Sequence, residues 1–197
     1  MESLLALIVF AIVMTGTPGP NNVMLTYSGV NFGYWRSLPH MAGIPAGICS
    51  MLLLMGCGLG WVLQTYPQLH WGLKVLGSAY LLFLAWKMLA GAGAKVAGEE
   101  RAKPLRFSQS FAFQYLNPKA WMMASSAVVT FTQSGDGYWL SLMWVVLAFL
   151  MVNPFTNSCW VIFGKLIALS LKDARSKRVF NGAMSGLTAA CVVMLWL

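Results

Sequence analysis

The sequence predicts an all-α membrane protein of six transmembrane helices, and three observations carry that prediction. Hydrophobic residues make up 58% of the 197-residue chain and charged residues only 9%, against about 25% charged in an ordinary soluble domain. The apolar residues fall in long continuous runs rather than alternating with period two, which excludes barrel strands and leaves helices. At about 20 apolar residues per crossing of a hydrocarbon core about 30 Å thick, the length has room for about six spans. A single transmembrane domain over residues 1–197, without a soluble domain, is expected.

The spans can be drawn in order as residues 4–27, 39–63, 71–89, 111–132, 138–166 and 179–197. Turn-like or polar stretches separate them at 31–37, 64–70, 91–106, 133–137 and 170–178. The first run meets a Pro-Gly-Pro cluster, not a small-residue cleavage site, and Met1-Glu2 brings no basic region before it. It reads as a retained helix. Cys49, Cys57, Cys159 and Cys191 all lie within apolar runs without metal-ligand spacing, so they read as small buried hydrophobes.

The formal charge of +8 does not make this a nucleic-acid binder, because the basic residues are spread between apolar runs. Orientation explains them. Arg36 follows the first span; Lys87, Lys95, Arg101, Lys103 and Arg106 follow the third; Lys165, Lys172, Arg175, Lys177 and Arg178 follow the fifth. Of the 13 Lys and Arg, only Lys74 and Lys119 lie elsewhere. The positive-inside rule makes the odd-numbered connections cytoplasmic and both termini periplasmic. Tyr66, Trp71, Tyr138 and Trp139 stand near the opposite span ends, where aromatic rings favour the interface.

The small and charged stretch 91–106 reads as a basic cytoplasmic loop between halves 1–90 and 107–197. Three spans per half force the second half to be inverted, a 3+3 inverted repeat. Interruptions recur at matching places. Thr17-Pro18-Gly19-Pro20-Asn21 in span one answers Asn117-Pro118-Lys119-Ala120 in span four, giving broken helices 1 and 4. Gly43-Ile44-Pro45-Ala46-Gly47 in span two answers Asn153-Pro154 in span five. Interrupted spans at corresponding positions of two halves are the best sequence pointer to a transporter site.

Pro18 and Pro20 each remove a backbone donor and disrupt a turn. The freed groups must find protein, water or substrate, since an unsatisfied one in hydrocarbon costs about several kcal/mol. Exposed carbonyls suit an ammonium and a restarting helix N-terminus suits a carboxylate, so Thr17, Pro18, Gly19, Pro20 and Asn21 together are candidate substrate ligands. The competing reading is a packing kink. Asn117, Pro118 and Lys119 are the candidates in span four. Lys119 either faces a cavity or partner or snorkels to the interface. Asn153 and Asn157, on one face with Thr156, either line the pathway or tie helices together. Gly43, Gly47, Gly56 and Gly60 read as close helix packing. His40 and His70 sit at span edges. Lys119 and His40 are the candidate proton carriers, for no Asp or Glu lies well inside a span. Lys119 and Ser126, seven apart, are the residues an intramembrane hydrolase would use, but without a carboxylate or histidine partner the pair is weak. No catalytic residue, cofactor or metal is expected.

At these motifs the sequence resembles the LysE/RhtB family of amino-acid exporters. The span-one and span-four motifs carry the likeness, with Gly77-Ser78-Ala79-Tyr80-Leu81 and Ala85-Trp86-Lys87 in span three. Ser110-Phe111-Ala112-Phe113-Gln114-Tyr115, and Asn157-Ser158-Cys159-Trp160 followed by Gly164, are similar to the family's cysteine and O-acetylserine exporting branch. Phe113-Gln114 departs from the glycine that many members carry there, and Asn153-Pro154 has no place in the family pattern. The resemblance implies a secondary exporter in the bacterial inner membrane, driven by the proton-motive force, whose partners are a small amino-acid-like substrate, protons and lipid. A homodimer is compatible with the small-residue faces. A passive pore for small polar solutes and a non-transporting membrane partner protein are the alternatives.

Overall fold

A computed structural model describes residues 2–91, 103–171 and 173–196. Every element among them is helical. In order they are α1 (Glu2–Gly16), α2 (Pro20–Phe32), α3 (Tyr34–Leu54), a π-helical turn (Met55–Leu59), α4 (Gly60–Thr65), α5 (Pro67–Gly91), α6 (Phe107–Gln114), α7 (Pro118–Phe131), a 3₁₀ turn (Gly135–Gly137), α8 (Tyr138–Ser170), α9 (Ala174–Ala190) and α10 (Val193–Trp196). Most of the expected 91–106 loop, with Lys95 and Arg101, and also Lys172, lies outside the described residues.

The packing is that of a protein dissolved in lipid. Large apolar side chains face outward, among them Val129, Met151, Phe155 and Leu169, each at least 69% exposed. Polar ones such as Asn22, His40, Gln114, Asn153 and Asn157 are buried. Hydrocarbon offers no hydrogen bonds, so polar groups turn to one another. Three helical stretches are each long and apolar enough to cross a membrane, Tyr34–Val62, Trp71–Ala90 and Gly135–Ser170. Leu4–Gly16 with Pro20–Phe32, bent by 61°, makes a fourth. The stretches drawn as spans four and six are each divided in two, at residues 115–117 and 191–192.

Local chemistry sets these boundaries. Pro20 and Pro118 sit in the first turns of α2 and α7, where a missing N–H costs nothing and the fixed φ favours the start. Only Gly33, at φ 76°, separates α2 from α3, so the polar stretch expected at 31–37 shrinks to one residue. That left-handed φ is accessible to glycine without a Cβ penalty.

The expected interruptions of spans two and five are corrected by the structure. α3 runs through Pro39 and Pro45, and α8 through Pro154, each proline losing one hydrogen bond while neighbours hold the helix. The irregularity in the second span lies later, in the π turn, where Gly58 adopts φ 100°. The Tyr138 hydroxyl donates to the Gly56 carbonyl there, at 2.6 Å. Tyr138 is thus a packing residue, whereas Tyr66, Trp71 and Trp139 are exposed as interface aromatics would be.

Glycines bring helices together where the sequence placed them. A Cβ on Gly43 or Gly47 would collide with the Phe107 or Phe111 carbonyl of α6, and one on Gly56 with Leu142. Gly60 touches only Met55 of its own segment, so it is not a packing glycine. The tightest seam is α2 against α8, where Gly29 meets the Val161 carbonyl and Gly164 meets the Thr26 carbonyl. One apolar core joins α1, α2, α3, α7 and α8, and a second joins α2, α5, α6 and α9. α2 is common to both.

At the start of α9, Asp173 accepts from the Ser176 N–H and hydroxyl, both at 2.7 Å. These bonds hold its carboxyl below the ordinary value of 3.8. A depressed folded-state value means that the cap contributes fully above the unfolded value and is lost as pH falls through the folded one. The first turn of α9 should therefore fray only on strong acidification. The Ser176 amide shift in NMR would report it; a shift that does not move with acid would refute the cap.

Candidate functional site

The break in the first span exposes the last carbonyls of α1. Helix ends leave such acceptors without partners, and here two other elements supply them. The Asn22 side-chain amide donates to the Thr15 and Thr17 carbonyls, at 2.9 and 2.6 Å. Lys119, from the first turn of α7, brings its Nζ onto the Thr17 carbonyl, the Thr17 hydroxyl at 2.7 Å and the Pro18 carbonyl at 3.3 Å. The chain's own ammonium occupies the carbonyl cluster expected to seat a substrate ammonium. Lys119 commits its ammonium to these acceptors, and among the described residues no hydrogen bond joins it to Ser126, which is exposed.

The two breaks are joined a second time. Asn21 donates to the Gln114 Oε1 at 2.8 Å, and Gln114 returns a bond to the Asn21 Oδ1 at 3.2 Å. A further bond from Gln114 to the Ser110 carbonyl, at 2.9 Å, fixes its amide. Gln114 is fully buried at the end of α6. The N-termini differ. Asn117 caps α7 through a 3.1 Å bond from the Lys119 N–H, whereas Gly19 gives α2 no side-chain cap. The start of α2 keeps its partial positive charge without a side-chain cap.

Between the breaks lies a small pocket. Of the residues nominated from sequence, Gly19, Asn21, Asn117, Lys119, Asn153 and Asn157 all line it, with Thr15, Asn22, Ile44 and Met123. The other nominated residues, Thr17, Pro18, Pro20 and Pro118, do not line it; Thr17 and Pro18 meet it only as acceptors for Lys119. Asn157 of α8 donates to the Met41 carbonyl of α3 at 3.2 Å, and Asn153 to the Phe149 carbonyl in its own helix at 2.9 Å. Asn157 thus ties two helices and also lines the pocket. Free space amounts to about 20 Å³, room for one water. The pocket is filled largely by its own lysine, which stays half-exposed.

Gly19 keeps this arrangement possible, since a Cβ there would come within 2.8 Å of the Lys119 Cδ. His40 does not join the pocket. Sequence put it at a span edge, but it is wholly buried in α3, its Nδ1 3.1 Å from the Ser28 Oγ. The side chain of His70 lies outside what the structure describes. Asn22 and Gln114 are the partners that sequence reading missed. Asn22 follows Asn21 directly, one residue past the motif. Gln114 stood out only as a departure from glycine. Among the described residues no group of three His, Cys, Asp or Glu is placed to hold a metal.

The Asn21–Gln114 pair carries a prediction. In a double-mutant cycle of Asn21→Ala and Gln114→Ala, coupling of about 1 to 2 kcal/mol is expected, within the usual range for buried hydrogen-bonded neighbours. Unfolding in detergent measures it, and additive losses would show that the pair contributes no shared stability.

Comparison with known proteins identifies the family. A family model described as LysE type translocator matches residues 12–196. The chain is 31% identical over 190 residues to cysteine/O-acetylserine efflux proteins of Escherichia coli strain K12 and Shigella sonnei strain Ss046, covering 95% of this chain and 94% of each relative. It is 33% identical over 160 residues to the protein of that description from Escherichia coli O139:H28, covering 80% of both chains. No solved structure matches it.

Proposed function

This chain belongs to the LysE-type translocator family, and from that premise we propose that it exports cysteine, O-acetylserine or amino-acid derivatives of similar size across the bacterial inner membrane, driven by the proton-motive force. Family membership makes it a membrane transporter of a small solute rather than an enzyme. The choice of cargo follows the cysteine/O-acetylserine efflux proteins to which it is similar.

The observation that carries the reading is the Lys119 bridge from α7 to the broken end of α1. An amino acid presents an ammonium and a carboxylate. The α1 carbonyls offer a seat for the first and the uncapped start of α2 a seat for the second. In this reading Lys119 is a tethered stand-in for the substrate amine: it holds the pocket shut when empty and gives way when cargo arrives. Its ammonium is also the proposed proton carrier, because loss of its proton removes the charge that holds the bridge.

The proposed topology has six spans: α1 with α2, α3 through α4, α5, α6 with α7, α8, and α9 with α10. Two features support a 3+3 inverted repeat within one domain. α1 packs on α8 as α6 packs on α3, and both broken spans restart on a proline, Pro20 and Pro118. The basic connections support cytoplasmic odd-numbered connections and periplasmic termini. Gly182 and Gly186 meet nothing within 4 Å, and a homodimer on that bare face of α9 belongs to this proposal.

Efflux of a radiolabelled panel including cysteine and O-acetylserine, from proteoliposomes with an imposed pH gradient, tests it. Gradient-dependent movement of one amino-acid class is expected. Flux indifferent to the gradient would indicate a pore; none, with passing reconstitution controls, would leave a partner protein or another cargo.

A further inference from the structure

A second cavity, of about 470 Å³, is lined by Ser28, His40, Lys87, Lys103 and Arg106. It is far larger than the pocket between the breaks and falls within the size range of ordinary small-molecule sites. Ser28 stands seven residues from Asn21, about 10 Å along α2 at helical rise. The chamber thus lies beyond the Asn21–Gln114 pair, at the end of the bundle next to the 91–106 connection.

Three cationic side chains line the chamber, and no carboxylate does among the described residues. Cations gathered in a cleft raise the local concentration of anions. His40 adds an independent sign. It is fully buried, and its Nε2 has no hydrogen-bond partner. Buried polar atoms are nearly always satisfied, so an orphan asks for a ligand. In the tautomer where the Ser28 hydroxyl donates to Nδ1, Nε2 carries the ring hydrogen, a donor that a carboxylate would satisfy.

We propose that this chamber is a second ligand site, receiving the carboxylate of a small organic solute on Arg106 and Lys87, toward which the His40 imidazole, buried in the wall behind them, turns its free Nε2–H, before the solute reaches the helix breaks. Only the direction of travel rests on the exporter reading; the binding does not.

The test reads binding rather than transport, using the full chain in phosphatidylcholine nanodiscs. The probes are radiolabelled 3-mercaptopropionate and cysteamine, the carboxylate and amine halves of cysteine. Saturable binding of 3-mercaptopropionate is expected, weakened about tenfold or more by His40→Gln and by Lys87→Gln with Arg106→Gln, as loss of a charge-assisted hydrogen bond implies. The cationic pair keeps the test open should the buried histidine be needed for folding. Lys74→Gln, whose cation lies over the Trp196 ring, should leave binding unchanged, and cysteamine should not respond to the chamber variants. Absence of efflux would sink the exporter reading and leave this result standing. No carboxylate binding to folded wild type, or equal binding in the chamber variants, would overturn the site. Displacement by phosphatidylglycerol would overturn it too, assigning the chamber to lipid headgroups.

Discussion

Replacing Lys119 with methionine should lower the efflux rate by about tenfold to hundredfold while leaving equilibrium binding of an amine-bearing cargo intact or tighter. The bridge consists of charge-assisted bonds to the Thr17 and Pro18 backbone and the Thr17 hydroxyl. Bonds to a charged group contribute about 1.5 to 3 kcal/mol, and each 1.4 kcal/mol is about tenfold in rate or affinity. Methionine keeps the stem and loses the charge. The carbonyl seat is then free for cargo, but the closed empty state loses its lock and the proposed proton carrier is gone. Stability should change less than rate, because water reaches this half-exposed side chain and can satisfy the carbonyls. Binding and initial efflux, measured on one preparation, separate the outcomes. Loss of binding together with rate would mean that Lys119 holds cargo directly. An unchanged rate would remove the lysine from the mechanism.

The largest stability effect should come from the seam between α2 and α8. Gly29→Ala with Gly164→Ala places two methyl groups onto the Val161 and Thr26 carbonyls, and main chain on both sides cannot swing away as a side chain would. Overpacking of this kind costs about 1 to 3 kcal/mol per site, offset only by the gain of about 1 kcal/mol in helix propensity from Gly to Ala. Total stabilities are about 5 to 15 kcal/mol, so the double variant should lose much of its folded yield on size-exclusion chromatography. Gly72→Ala, with open space around it, should behave as wild type. Equal yields from all three would mean that the helices can separate without penalty.

Composition and run length made the helical membrane class legible, because lipid demands apolar surfaces and satisfied backbones wherever the chain crosses. The break at residues 17–19 was legible for a similar reason: two prolines so close cannot continue a helix. Pro45 and Pro154 show the limit of that signal. A lone proline removes one bond, and whether the helix stops depends on packing from distant segments, which a linear reading does not contain. The partnership of Asn21 with Gln114, 93 residues away, was hidden for the same reason. Six of the nominated residues converge on one pocket because breaks leave groups that only polar neighbours can satisfy. The chamber around His40 escaped notice because its walls come from four separate stretches of chain.

The single residue between α2 and α3 has a mechanical consequence. Gly33 supplies only two dihedral angles between the helices, its N–H is bonded back to the Gly29 carbonyl at 3.2 Å, and α2 is seated on α8 by bare backbone. These three helices form a stiff frame with little slack at the joint. Any motion that widens the pocket must be taken up where the chain has spare freedom, at residues 17–19 and 115–117. Some of the residues proposed to hold the cargo would then serve as bearings, and stiffening either break would slow turnover without touching a ligand.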